Sequence, residues 1–320
     1  VAAGVRGALR GLAAGLYGAA WEWRRAAYAR GWKRPAGVPA RVVSVGNLTV
    51  GGTGKTTLTL WLARRALARG RAAAVVCRRY RPGPGGLGDE ELMYRSALGA
   101  ERVFAGRSKR EQAGAAAAAG HGLVLVDDGF SHWALARAMD VVLLDAGDLL
   151  GGGRLLPAGR LREPVRALQR AGVVIVSRLP AAEDPAPWLE RVRRLAPAAI
   201  VAAGRHRVTG VRALGGGTVP AGAAVHLVTA TGNPRAVVAS ARGVGLRVDT
   251  VRTWRDHHWF TAAEAAVAVA GAGDGWVLLT AKDAVRWPAR AARERVAVLE
   301  VEWEWVSGGE AVERAALMEG

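Results

Sequence analysis

Short, unbroken apolar runs alternate with amphipathic stretches along most of this chain. Residues 41–46 (Arg-Val-Val-Ser-Val-Gly) read as a buried strand, and 54–69 as the helix that follows it. Similar runs predict strands at 72–77, 122–127, 140–145 and 172–177. Helices are predicted around 89–98 and, from its alanine content, 109–119, with a Gly/Pro-rich loop at 81–88. Strands alternating with helices indicate an α/β domain with a mainly parallel sheet. The stretch near 204–224 is Gly-rich and reads as a linker. A second α/β pattern follows, with strands near 225–229, 246–251, 276–280 and 296–302 and helices near 234–243 and 261–270.

The first 33 or so residues form a segment of their own. Leu9, Leu12, Leu16, Ala20 and Trp23 recur at helical spacing. Arg6, Arg10, Arg24, Arg25, Arg30, Lys33 and Arg34 lie among them against a single acid, Glu22. Trp21, Trp23 and Tyr28 add amphipathic rings. Such a basic amphipathic helix suits a membrane interface, and equally a helix packed on the domain by one face. Pro35 and Pro39 end it.

Composition adds two points. Apolar residues make up 51% of 320, enough for a sizeable core, and the net charge is +18. That charge suits a polyanionic partner, although nearly all of it is arginine in an Ala/Gly-rich chain, which also fits a compositional bias. No interleaved basic–aromatic RNA motif or recognition helix accompanies it, so no nucleic acid is expected as a partner. Cys77 is the one cysteine, which excludes an internal disulfide or a cysteine-based zinc site and fits a reducing compartment. No signal peptide is expected, and no run of 18 uncharged apolar residues suggests a membrane span.

The strongest chemical signal is Gly51-Gly52-Thr53-Gly54-Lys55-Thr56-Thr57, placed between a strand and a helix. Small residues let backbone N–H groups approach phosphate oxygens, and the helix N-terminus adds positive charge. Lys55 would reach the β- and γ-phosphates and Thr56 would ligate Mg2+. The strict phosphate-loop pattern wants Gly where Thr49 stands. Leu123-Val124-Leu125-Val126-Asp127-Asp128 is an apolar strand ending in two carboxylates, as a Mg2+ site needs. These readings predict a P-loop NTPase-type, Rossmann-like domain over 35–205. An N-terminal amphipathic helix (1–34) precedes it; a linker (206–224) and a second, smaller α/β domain (225–320) follow.

Several blocks are more specific. Ser44-Val45-Gly46-Asn47-Leu48-Thr49-Val50, running into the phosphate loop, resembles the signature of the lipid A 4'-kinase family, Thr49 included. Asp127-Asp128-Gly129-Phe130-Ser131-His132 is similar to the family's Asp-Asp-Gly-Phe-Gln-His element. Gly153 to Pro164, Gly232-Asn233-Pro234, Asp256-His257 and Lys282-Asp283-Ala284-Val285 match further blocks in the same order. The resemblance covers roughly residues 5–305. It implies transfer of the ATP γ-phosphate to the 4'-hydroxyl of a tetraacyldisaccharide 1-phosphate glycolipid. It also implies a peripheral protein on the cytoplasmic face of a Gram-negative inner membrane, and two Rossmann-like domains with the active site between them.

The resemblance aligns Asp89 with the family's proposed catalytic Asp, acting with His257 as a base pair; from the residues alone Asp89 reads equally as a helix cap. Asp127 and Asp128 with Thr56 would form the metal site. Arg78, Glu90, His132 and Glu163 are candidate substrate contacts, each with an ordinary alternative as a solvated, packed or surface-paired side chain. His257 is preferred over His258 because the family element is Asp-His. Trp254 and Trp259 read as packing. The departures are Arg79 and Arg81 where the family has Gly, a short 81–88 loop, Glu91 for Pro, Ser131 for Gln and Ala281 for Glu. They put the acceptor in question more than the nucleotide, and a P-loop small-molecule kinase or ligase is the alternative.

Overall fold

A computed structural model describes residues 2–180, 182–289, 291 and 293–318. Residues 1, 319 and 320 of the predicted end segments lie outside the described residues, as does the side chain of Arg6. In chain order the elements are α1 (Ala2–Ala29), β1 (Arg41–Asn47), α2 (Lys55–Ala68), β2 (Ala73–Arg78), α3 (Asp89–Leu98), β3 (Val103–Gly106), α4 (Lys109–Ala118), β4 (Leu123–Asp127), β5 (Met139–Asp145) and β6 (Val173–Ser177). Then come α5 (Ala186–Leu195), β7 (Ile200–Ala213), β8 (Ala224–Thr229), α6 (Pro234–Gly243), β9 (Arg247–Thr253), α7 (Ala262–Gly271), β10 (Trp276–Thr280), α8 (Ala281–Ala284), β11 (Val296–Ser307) and α9 (Gly309–Leu317).

Two compact units emerge. The first comprises Val1–Arg78, Glu101–Arg205 and Trp303–Gly320; the second, Arg79–Ala100 and His206–Glu302. In the first, parallel strands run in the order β3-β2-β4-β1-β5-β6-β7. β1 and β4 are sealed on both faces: Val43, Val45, Val124, Leu125 and Val126 have no exposure. Ser44, equally buried, satisfies its hydroxyl on the Asp140 carboxylate. This order sets the carboxyl ends of β1 and β4 side by side, with Val45 opposite Asp127. The second unit has parallel strands β11-β10-β8-β9.

The predicted linker is a correction. Residues 206–213 continue β7, and the chain leaves the first unit within that strand. Gly204 reads as loop from sequence, yet a Cβ there would lie 2.3 Å from the Trp303 ring, so the glycine marks a close approach inside a strand. The contiguous boundaries also give way: 79–100 joins the second unit and 303–320 returns to the first. β3, α5 and α9 were not predicted; they are short, or follow Pro- or Gly-rich starts.

α1 is present, and its faces differ from a simple packed helix. Trp21 and Ala27 are buried, and Trp21 meets Trp133 edge to face with centroids 5.9 Å apart. Leu9, Leu12, Leu16 and Trp23, the spaced apolar set, are all at least 60% exposed. Among the described residues no helix is long and apolar enough to cross a membrane.

Candidate active site

β1 delivers the chain into the loop 48–54, and Gly54 turns it into α2 with φ 90°, a left-handed conformation that glycine adopts without strain. Where a strict phosphate loop has glycine stands Thr49, in a segment held against residues 160–162. Thr49 bridges Leu161, the Val50 N–H donates to Arg160 O (2.8 Å) and the Arg162 N–H to Leu48 O (2.8 Å). Arg178 supports the loop from β6, donating to Gly52 O (2.7 Å) and Asp145 (3.0 Å). Thr53 is buried with its hydroxyl unpartnered. Thr57 is half-buried in the first turn of α2.

The carboxylates at the end of β4 differ from one another. The Thr56 hydroxyl lies 3.5 Å from Asp127 Oδ2. Both oxygens of Asp128 accept from Arg162, at 2.9 and 2.7 Å, and Lys55 Nζ lies 3.7 Å away. Arg162 also donates to the Asn47 side chain. Burial raises the Asp128 carboxyl, but Lys55, Arg162 and Lys109 outweigh it and hold it far below the usual carboxylate range. Asp128 has φ 51°, strained for a residue with a side chain, and Lys109 clamps that turn. Its Nζ donates to the Asp127 and Asp128 carbonyls at 2.7 and 2.6 Å. Among the described residues no group of three or more His, Cys, Asp or Glu converges as a metal cage. Thr56 with Asp127 is a hard oxygen set of the kind Mg2+ accepts when phosphate oxygens complete its shell.

His132 and Glu163 lie in the same unit. Burial, then the charges of Lys109, Arg137 and Arg24, bring His132 down to about 4, so it is neutral at physiological pH. Glu163 is 2% exposed and pairs with Arg170 at 2.7 Å, whose guanidinium lies 3.8 Å over the Phe130 ring. A cavity of about 580 Å³ opens beside it, lined by Trp21, Arg25, Trp133, Arg166 and Arg170 among others. Arg78 is exposed at the end of β2.

The second unit holds the other predicted pair. Asp89 begins α3, buried, and its Oδ2 lies 2.9 Å from His257 Nδ1. The Glu90 N–H donates to its Oδ1 at 2.9 Å, but Gly88 holds the cap position and no side chain caps the helix, so the cap reading of Asp89 is corrected. His257 takes φ 65°, a second strained position. Its N–H donates to Asp256, and the Tyr80 ring meets the imidazole edge to face at 5.3 Å. Lys282 and Arg286 approach Asp89 Oδ2 to 3.7 and 3.5 Å. Burial raises Asp89, but the His257 hydrogen bond and the surrounding charges hold it below its ordinary range. His258 instead bonds Glu264, which closes the capping box of α7 with the N-cap Thr261.

The departures near this pair have a structural account. Arg79 and Glu91 face each other: Arg79 donates two hydrogen bonds to the Glu91 carboxylate at 2.9 and 3.0 Å. Arg95 adds a third cation contact at 2.8 Å. The short 81–88 loop is pinned by Trp259, whose Nε1 donates to Arg81 O (3.0 Å) and whose ring leaves room only for glycine at Gly83. For Ala281 the structure offers no explanation.

Sequence reasoning missed Lys109, Arg162, Lys282 and Arg286. A signal existed for two of them. The chain has four lysines, at 33, 55, 109 and 282, against a large excess of arginine. Three of the four lie at these carboxylates.

The model of a family described as tetraacyldisaccharide-1-P 4'-kinase matches residues 8–318. A protein of Anaeromyxobacter dehalogenans (strain 2CP-C) named tetraacyldisaccharide 4'-kinase is 37% identical, over 98% of this chain and 91% of its own length. One of the same name from Halorhodospira halophila is 35% identical, over 91% and 87%. In fold, the chain is similar to the crystal structure of the "apo" form of LpxK from Aquifex aeolicus in complex with ATP. The TM-score is 0.69 at 22% identity, covering 94% of this chain and 95% of that one.

Proposed function

Because the chain belongs to the tetraacyldisaccharide-1-P 4'-kinase family, we propose that it transfers the γ-phosphate of ATP to the 4'-hydroxyl of tetraacyldisaccharide 1-phosphate in lipid A biosynthesis. The observation that carries this reading is the 2.9 Å Asp89–His257 pair, within a chain that also carries the Gly51–Thr57 loop leading into α2.

Phosphoryl transfer to an alcohol needs charge neutralisation, positioning and a base at the hydroxyl. Loop N–H groups and Lys55 receive the triphosphate. Thr56 and Asp127 would hold Mg2+, which when bound neutralises phosphate charge. Asp128 stays beside them, fixed by Arg162 and Lys55. The Asp89–His257 pair accepts the acceptor's hydroxyl proton, with Asp89 orienting the imidazole through Nδ1. His132, neutral, and Glu163, Arg78 and Glu90 remain candidate substrate contacts. Arg25, Arg166 and Arg170 offer donors to an anionic headgroup.

The acceptor is a lipid, and α1 fits that. Its Leu9, Leu12, Leu16 and Trp23 face solvent, as a helix lying in a membrane interface requires. The protein would sit peripherally on the cytoplasmic face of the inner membrane while acyl chains stay in the bilayer.

The test is transfer of labelled γ-phosphate to tetraacyldisaccharide 1-phosphate in mixed micelles. Wild type should label the lipid. Lys55→Ala and Asp89→Asn should each lose about 100-fold or more in kcat. ATP hydrolysis by wild type with no labelled lipid would move the acceptor to a soluble small molecule and overturn this reading.

A further inference from the structure

Arg286 has the largest side chain among the fully buried ones described, and its guanidinium has no exposure. Nη2 donates to Asp283 at 2.6 Å and lies 3.4 Å from Ala230 O; Nε donates to Lys282 O at 3.1 Å. Nη1 is buried without a hydrogen-bond partner. Nη1 lies 3.5 Å from Asp89 Oδ2. A buried cation with an unmet N–H is costly, so its retention calls for a use of the charge.

The anchor behind it is rigid. Asp283, also unexposed, accepts from Thr229 (2.8 Å), Thr280 (2.7 Å) and the Ala230 N–H (2.9 Å). These partners come from the ends of β8 and β10, so Arg286 is fixed to the sheet of its unit.

We propose that Arg286 is a positioning residue for phosphoryl transfer: it ties the Asp89 carboxylate to the Asp283 anchor and keeps it ionised, facing His257. This rests on the kinase reading above. The other groups facing Asp89 are His257 and Lys282, and Lys282 is shared with Asp256 at 3.4 Å. Lys282 is partly exposed and divided between Asp89 and Asp256; Arg286 is shared with Asp283 but has no exposure, so water does not screen its charge toward Asp89. Removing a cation favours the protonated form of its neighbours. The acid limb of the pH–kcat profile therefore rises, whichever member of the pair the proton occupies.

The experiment compares wild type, Arg286→Lys and Arg286→Met as full chains. Readouts are kcat against pH, the KM for ATP and an NMR titration of the His257 imidazole. Arg286→Met should lose about 10- to 100-fold in kcat with the KM for ATP unchanged. Its acid limb and its imidazole titration should rise by about one pH unit. Arg286→Lys keeps the charge, so it should hold the wild-type limb while losing kcat through its shorter reach. A folded Arg286→Met with the wild-type limb and titration overturns the proposal. If Arg286→Met does not fold, Arg286→Lys decides: a loss of about tenfold in kcat at an unchanged KM for ATP supports the proposal, and wild-type kcat overturns it. If wild type labels no lipid, the kinase reading fails, and the imidazole titration still judges Arg286 by itself.

Discussion

The Arg79–Glu91 contact allows a sharp energetic prediction. Glu91 has no exposed side-chain surface, whereas Arg79 and Arg95 are 40% and 32% exposed. Glu91→Ala removes the buried charge and lets both guanidiniums turn toward water. What is lost is the net worth of the fork, about 1.5–3 kcal/mol for charge-assisted hydrogen bonds. Exposure of the Arg79 outer edge screens it, so about 1–2 kcal/mol is expected. Arg79→Ala is the worse single change. It leaves a desolvated carboxylate leaning on Arg95, at a cost of about 2–3 kcal/mol. Once Glu91 is gone, removing Arg79 as well should cost little more. The double variant should therefore match Glu91→Ala, so the coupling equals the Arg79→Ala cost, about 2–3 kcal/mol.

Urea unfolding of the four proteins, followed by far-UV circular dichroism, measures this cycle. Additivity to within about 0.5 kcal/mol would mean that the two residues do not act as a pair. A second cycle uses the residues usual in the family. Proline is tolerated in the first turn of a helix, where Glu91 sits. Glu91→Pro alone should destabilise more than Glu91→Pro combined with Arg79→Gly, because the single change strands a cation built for that carboxylate.

Two further outcomes follow from the first unit. His132 is held at about 4 against an ordinary 6.5, so the unfolded chain takes up its proton first as pH falls. The contribution of this residue to stability is therefore eroded between about pH 6.5 and 4, and His132→Gln should reduce the drop in urea midpoint between pH 7 and 5; an equal drop in the variant refutes the burial argument. Replacing Leu9, Leu12 and Leu16 together by Ser should lower co-sedimentation with phosphatidylglycerol vesicles about tenfold or more while leaving the KM for ATP and the fold unchanged, since all three are exposed; undiminished partitioning would remove α1 from the membrane reading.

How much of this was legible in the chain depends on the range of the interaction involved. Helix α3 starts and ends where the sequence pattern predicts, and the strands carrying the phosphate loop and Asp127 were found to within a residue. These are local signals, set by apolar runs and by glycine. β7 was not legible, because Gly204 and Gly210 break its run and what fills the space at Gly204 is Trp303, far away in sequence. The discontinuous units were hidden for the same reason. Thr49 reads from sequence as a departure from the loop pattern; its pairing with the segment 160–162 is visible only in the fold. Arg79 and Glu91 looked like two separate departures until the fold set one against the other.

The lysines carry the argument one step further. Arginine and lysine are equivalent in charge but not in shape. An ammonium has three donors around one small centre, and Lys109 places two of them on the adjacent Asp127 and Asp128 carbonyls inside a buried turn. A planar guanidinium needs a wider, flatter acceptor, which Arg162 finds in the two oxygens of the Asp128 carboxylate. Each cation around β4 thus has the shape its acceptor demands. In a chain that uses arginine almost everywhere, lysine then persists where arginine's geometry fails. Lys33, packed over the exposed Trp23 ring, shows that a lysine here need not mark a site. A burial test separates the two kinds. Lys109 is 7% exposed and Lys55 and Lys282 are 16% and 23% exposed at the side chain, each against a carboxylate or its backbone. Compositional bias, which weakens any inference from net charge, sharpens the inference from its exceptions.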